Sequence, residues 1–152
     1  MTSSAQNPAP SDDTSALIDG LAHSAFLTMG ALTRIAADHD LSLTQLRVLA
    51  ILRDRRLRMT DLADYLGLEK STLSGLVSRA EARGLVGRAP DPSDKRAVEV
   101  FLTDDGLHLG ARVTAEMTDQ LAPLVSALRP AERRSLHELL AKALDATVPM
   151  KA

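Results

Sequence analysis

Between positions 70 and 96 the chain carries hydroxyls, small residues and cations of types that suit contact with a polyanion rather than covalent chemistry. They are Lys70, Ser71, Thr72, Ser74, Gly75, Ser78 and Arg79, then Lys95 and Arg96. If residues 70–83 form a helix, at 100° per residue Leu73, Leu76, Val77 and Ala80 share one side, and Ser71, Gly75, Ser78 and Ala82 lie opposite, flanked by Ser74 and Arg79. An outer face of such low profile can lie deep in a DNA major groove, with hydroxyls reaching phosphates or base edges and a cation near the backbone. Lys70, Ser71 and Thr72 open that helix, where its dipole favours a phosphate. Lys95 and Arg96 stand beside Asp91 and Asp94. An extended ribbon with an arginine near its tip suits a narrow, electronegative minor groove, and Asp94 can support Arg96 by charge-assisted pairing. Each feature alone has a plainer account: serines facing water on a surface helix, and a surface turn whose salt bridge has little energetic consequence. Their adjacency favours the DNA reading.

These residues need elements to hold them. From Ser15 to Asp38, Leu17, Leu21, Ala25, Met29, Leu32 and Ala36 recur at helical spacing. Ser42 and Gln45 stand in capping-box spacing and predict a second helix to about Arg53, ended by the basic run Arg53 to Arg58. Thr60 with Asp61 is an N-cap signal for a short helix carrying Leu62, Ala63 and Leu66, closed by Gly67. A longer helix follows from about Lys70 to Arg83, closed by Gly84, so a helix-turn-helix is predicted over 60–84. Beyond it the period changes to two. Leu85 to Ala89 and Arg96 to Leu102 flank the turn chemistry of residues 90–94, which predicts a β-hairpin wing over 85–102. Thr103 with Asp104 and Asp105 caps a long helix, with a bend expected at Pro123, and Pro130 opens the last helix, about Ala131 to Thr147.

Composition sets the outer limits. A chain of 152 residues is the size of one domain, and with only Phe26, Tyr65, Phe101 and no Trp its core must be aliphatic, which suits packed helices. The net charge of −2 conceals a division: residues 53–96 hold ten Lys or Arg against seven Asp or Glu, and the remainder eight against thirteen. A basic middle between acidic ends fits one DNA-facing module flanked by association helices. Without cysteine there is no disulfide, no thiolate metal site and no thiol sensor. Residues 1–12 read as a disordered tail with no signal-peptide pattern, and residues 13–150 as one domain. No apolar stretch reads as a membrane span, so no membrane partner is expected and the simplest location is cytoplasmic. No nucleophile with a base, phosphate loop or metal spacing stands out. His137-Glu138 begins a zinc-like His-Glu-x-x-His, but position 141 is Ala, so neither an enzyme nor a cofactor is expected.

The stretches RMTDLADYLGLEKSTLSGLVSRAEARGLVGR (58–88) and DPSDKRAVEVFLTDDG (91–106) resemble the MarR family of winged helix-turn-helix transcriptional regulators, and the order of elements matches over nearly the whole folded length. The more specific part is the wing, where Asp-x-Arg and Leu-Thr-x-x-Gly are matched by Asp94, Arg96, Leu102, Thr103 and Gly106. Glu69 departs from the pattern, since many members carry a better N-cap such as Ser there. The fold implied is mainly α: a winged helix-turn-helix over about 43–103 with a β-hairpin wing, and N- and C-terminal helices (about 14–41 and 104–148) forming a dimerisation region. The resemblance implies a homodimer on double-stranded DNA, with each recognition helix in a major groove, each Arg96 in the adjacent minor groove and Asp94 as its support. It also implies repression relieved by a small aromatic or phenolic acid in a cleft between the two regions. Arg34 and Arg47 are candidates to meet such an anion, although a solvated or paired arginine is the plainer account of each. Two reading helices predict a pseudo-palindromic operator with half-sites about 10 bp apart. The alternative is a winged helix used only for protein interaction.

Overall fold

Ser42 and Gln45 form both halves of the predicted capping box: the Gln45 amide donates to Ser42 Oγ at 3.1 Å, and the Ser42 amide donates to Gln45 Oε1 at 2.9 Å. The helix they start, α2 (Leu43–Ile51), follows α1 (Asp12–Asp38) and runs into a 3-10 turn over Leu52–Asp54. The computed structural model describes residues 12–147. Of the tail expected over 1–12 only Asp12 is therefore described, and it opens α1 rather than belonging to a tail. Residues 1–11 and 148–152 lie outside the described residues.

Next come β1 (Leu57–Arg58), α3 (Met59–Leu66) and α4 (Lys70–Ala82), then β2 (Val86–Pro90), β3 (Val98–Leu102), α5 (Asp104–Ser126) and α6 (Pro130–Thr147). Two glycine stops make the helix-turn-helix compact. Gly67 and Gly84 sit at φ 65° and 71°, the left-handed region that a side chain disfavours. The amides of Leu68 and Leu85 reach back to the carbonyls of Ala63 and Ala80, the bond of a Schellman stop. Thr103 caps α5 as predicted, its Oγ1 accepting from the Gly106 amide at 3.1 Å.

Two local expectations are corrected, and one strand is added. Thr60 is not the N-cap of α3: the helix begins at Met59, and Arg58, the flanking residue, makes no side-chain cap bond. The cause is β1, which the sequence reading missed; its pairing with β3 (Leu57↔Val100, Arg58↔Glu99) delivers the chain into α3 in extended conformation. The wing strands begin one to two residues later than expected, and β3 ends at Leu102 as expected. β2 ends on Pro90, tolerated on an edge strand, and Arg96 lies in the turn ahead of β3. The sheet is antiparallel, order β1-β3-β2, with Val86↔Leu102 and Pro90↔Val98 at the ends of the hairpin.

Ile35, Leu52, Leu62, Leu73, Val77, Val86 and Val100 are the largest fully buried side chains, so the core lies under the winged unit. The C-terminal half of α1 (Ala31, Ile35, Ala36) and the N-terminal half of α5 (Leu109, Val113) close over it. The outer halves of these helices, and all of the described part of α6, contribute no buried residue. Leu17, Ile18, Leu21, Phe26, Leu136, Leu139 and Leu144 are exposed as a result. This bears on a further correction: α1 is long and apolar enough, by length and composition, to cross a membrane, where no such stretch was expected. The reason is that its apolar residues occupy more than the face turned to its own core, as the neighbours Leu17-Ile18 and Phe26-Leu27 show. Asp19 and His23 interrupt the run.

Candidate nucleic-acid interface

Leu73, Leu76, Val77 and Ala80 anchor α4 in the core, and this decides which residues it presents outward. Lys70, Ser71, Thr72, Ser78, Arg79 and Ala82 are exposed, and Ser74 and Gly75 are half-buried. A Cβ added at Gly75 would meet Arg79 Nη1 at 3.4 Å, so the guanidinium lies close over the glycine. Glu69 precedes the helix without capping it through its side chain. The first-turn amides of α4 therefore take no bond from that residue's carboxylate.

Arg88 on β2 joins the wing to this helix. Its Nη2 donates to Ser78 Oγ at 2.9 Å and to the Ser74 carbonyl at 3.3 Å, and its Nε stands 3.6 Å from Glu81. One lone pair of the Ser78 hydroxyl is thereby engaged inside the protein, and its proton and second lone pair remain for an outside partner. Arg88 was not singled out from the sequence. It looks there like one more surface cation, and only the packing of β2 against α4 reveals its partners.

The turn of the wing is built on Asp91, the one buried polar or charged side chain among the described residues. Its Oδ1 accepts from the Ser93 amide (2.7 Å), Ser93 Oγ (2.6 Å) and the Asp94 amide (2.9 Å). Arg58 Nε donates to its Oδ2 at 2.5 Å, and Arg58 Nη2 reaches Ser93 Oγ at 3.0 Å. The Arg58 guanidinium, then the Ser93 hydroxyl and amide, hold the Asp91 carboxyl well below the usual carboxylate range. The Asp-Pro-Ser-Asp run signals the local half of this arrangement. Nothing local signals Arg58, 33 residues earlier.

Lys95 and Arg96 stand exposed in the turn, the Arg96 side chain being 94% exposed. Asp94 accepts from the Arg96 amide at 3.0 Å and from its Nε at 3.4 Å. It shapes the turn through the backbone more firmly than it holds the guanidinium, since an exposed pair at that distance contributes little. Between α1, α2 and α5 lies an apolar cleft of about 100 Å³, lined by Leu32, Leu46, Leu49, Val113 and Met117 with Arg53 as its cation. Neither Arg34, whose Nη2 lies 3.4 Å from Gln120 Oε1, nor Arg47 lines it.

A bare, small-residue helix face coupled to an arginine-bearing ribbon has a form that can dock on duplex DNA, and the comparisons with known proteins find DNA-binding transcriptional regulators. The MarR family profile matches residues 39–97. The chain is 32% identical over 117 residues to the HTH-type transcriptional repressor NicR of Pseudomonas putida, covering 72% of this chain and 70% of that one. It is 28% identical over 130 residues to the HTH-type transcriptional regulator PecS of Dickeya dadantii, covering 83% and 78%. Among solved structures, the MarR family transcriptional regulator Sco3205 from Streptomyces coelicolor, in complex with DNA, superposes with a TM-score of 0.74 at 28% identity. That superposition covers 98% of this chain and 96% of the other.

Proposed function

Because this chain belongs to the MarR family of DNA-binding transcriptional regulators, we propose that it acts as a homodimeric repressor on a pseudo-palindromic operator. The observation that carries the reading is the bare face of α4, tied through Arg88 to a wing whose Arg96 is open to solvent. In this reading Ser71, Ser74, Gly75 and Ser78 line the major-groove side of the helix. Lys70 and Thr72 meet phosphates at its N-terminus, and Arg79 meets the backbone along its flank. Lys95 and Arg96 enter the minor groove, with Asp94 supporting the turn beneath them.

Dimerisation is supported by the leucines of α1, α5 and α6 that this chain leaves uncovered, with Leu17, Leu139 and Leu144 each more than 60% exposed. A second copy is a better cover than lipid: Asp19, His23, Ser24 and Thr28 lie along α1, and α6 is charged along its length. Repression is favoured by the likeness to NicR, itself a repressor. An aromatic or phenolic acid is proposed as the effector, its ring in the apolar cleft and its carboxylate toward Arg53. At about 100 Å³ the cleft is smaller than the roughly 150 Å³ cavity that takes a benzene ring. Entry would therefore push α1 and α5 apart from α2, a movement that changes how the winged units are held.

The test is selection of bound fragments from genomic DNA followed by footprinting. The expected result is a protected inverted repeat with half-sites about 10 bp apart, weakened by Arg79→Ala and Arg96→Ala and released by phenolic acids in the wild type but not in Arg53→Ala. Failure to shift any genomic fragment at low ionic strength would refute the reading.

A further inference from the structure

A wing that is to present one arginine to a groove has to be held at a fixed angle, since a hairpin turn carries little rigidity of its own. Here the stiffness comes from outside the hairpin. Asp91 is 4% exposed at the base of the turn, and its four hydrogen bonds converge from two directions: three from Ser93 and Asp94 within the wing, and one from Arg58 at the junction of β1 and α3. The Asp91 amide also donates to the Ala97 carbonyl at 3.0 Å, which closes the turn, and Arg96 lies inside that loop. Arg58 pairs with Glu99 on β3 through its backbone and leads directly into α3. Its side chain thus ties the wing turn to the first helix of the helix-turn-helix.

We propose that the Arg58–Asp91 pair is a positioning device that sets where Arg96 meets the duplex, so that Asp91 governs DNA affinity without touching DNA. This rests on the reading of Arg96 as a minor-groove contact. The depressed acidity range of Asp91 agrees with it, because the carboxylate is ionised, and the pair intact, throughout the neutral range.

Asp91→Asn is the discriminating variant. It keeps the shape of the side chain and one acceptor oxygen for the three bonds from Ser93 and Asp94, but puts an amide donor in place of the oxygen facing Arg58 and removes the ion pair. Removing a negative charge near a polyanion would by itself strengthen binding, so a loss of affinity is opposite to the bare electrostatic effect. The probe is the duplex that the wild-type protein selects from a random-sequence library, titrated with wild type, Asp91→Asn, Arg96→Ala and the double variant, with thermal melting of each protein alone. Asp91→Asn is expected to weaken binding by about 5- to 50-fold, as loss of a well-placed arginine contact would, but by less than about twofold in the Arg96→Ala background. If Asp91→Asn binds as well as or better than wild type, or loses equally in both backgrounds, the positioning role is overturned while the DNA reading stands. If Arg96→Ala itself costs nothing, the minor-groove reading beneath it is overturned as well.

Discussion

Leu139→Ala should weaken self-association by about two orders of magnitude while leaving the protomer folded. Leu139 lies on α6, whose described residues include none that is buried, and is 64% exposed. Truncation to alanine removes three carbons. At about 0.8 kcal/mol for each buried methylene, scaled by the 64% still open to a partner, the loss is about 1.5 kcal/mol per protomer. A two-fold interface counts each substitution twice, which brings the association loss to about 3 kcal/mol, or on the order of 100-fold at about 1.4 kcal/mol per tenfold. Leu139→Glu should be more severe, since it would bring a carboxylate into the interface. Sedimentation equilibrium across a dilution series gives the dissociation constant, and circular dichroism checks that the helices persist. A constant within about threefold of wild type for both variants would refute the assignment of this face to the dimer. A loss of helicity in parallel would instead mean that α6 serves the protomer's own fold.

Ser42→Ala removes one half of the capping box and should lower stability by about 1 kcal/mol, read as a melting shift of roughly 2–5 °C; an unchanged melting temperature would mean that α2 starts without its cap. Gly106→Ala should be far more damaging, because an added Cβ would lie 2.0 Å from the Leu85 carbonyl oxygen; if its melting matches wild type, the close approach of α5 to the link between α4 and β2 is wrong. The acidity of Asp91 sets a pH signature. With the folded-state value depressed by Arg58 and Ser93, its contribution is complete above the unfolded value of about 3.9 and is lost as the pH falls through the lower folded value. The melting difference between wild type and Asp91→Asn should therefore stay constant from neutrality to about pH 5 and narrow below about pH 4; narrowing that begins near neutrality would contradict the ion pair.

What the chain's order of residues determined by itself is whatever is encoded within a turn or two. The capping box of Ser42 and Gln45, the Thr103 cap, the glycine stops at 67 and 84 and the buried stripe of α4 depend on bonds and spacings of three to five residues, so they are legible before any folding is considered. The outer face of α4 followed from the same helical periodicity, and the burial of Val100 and Leu102 on β3 from a period of two. Tertiary structure decided the rest. β1 exists only because β3 pairs with it, a two-residue strand having no period to detect, and that pairing displaced the N-cap of α3 from Thr60 to Arg58. Arg58 finds Asp91 across 33 residues and Arg88 finds Ser78 across ten, and in the sequence both arginines look like solvated cations. A long side chain takes its role from whichever partner the backbone carries within reach, and that distance is a property of the packed molecule alone.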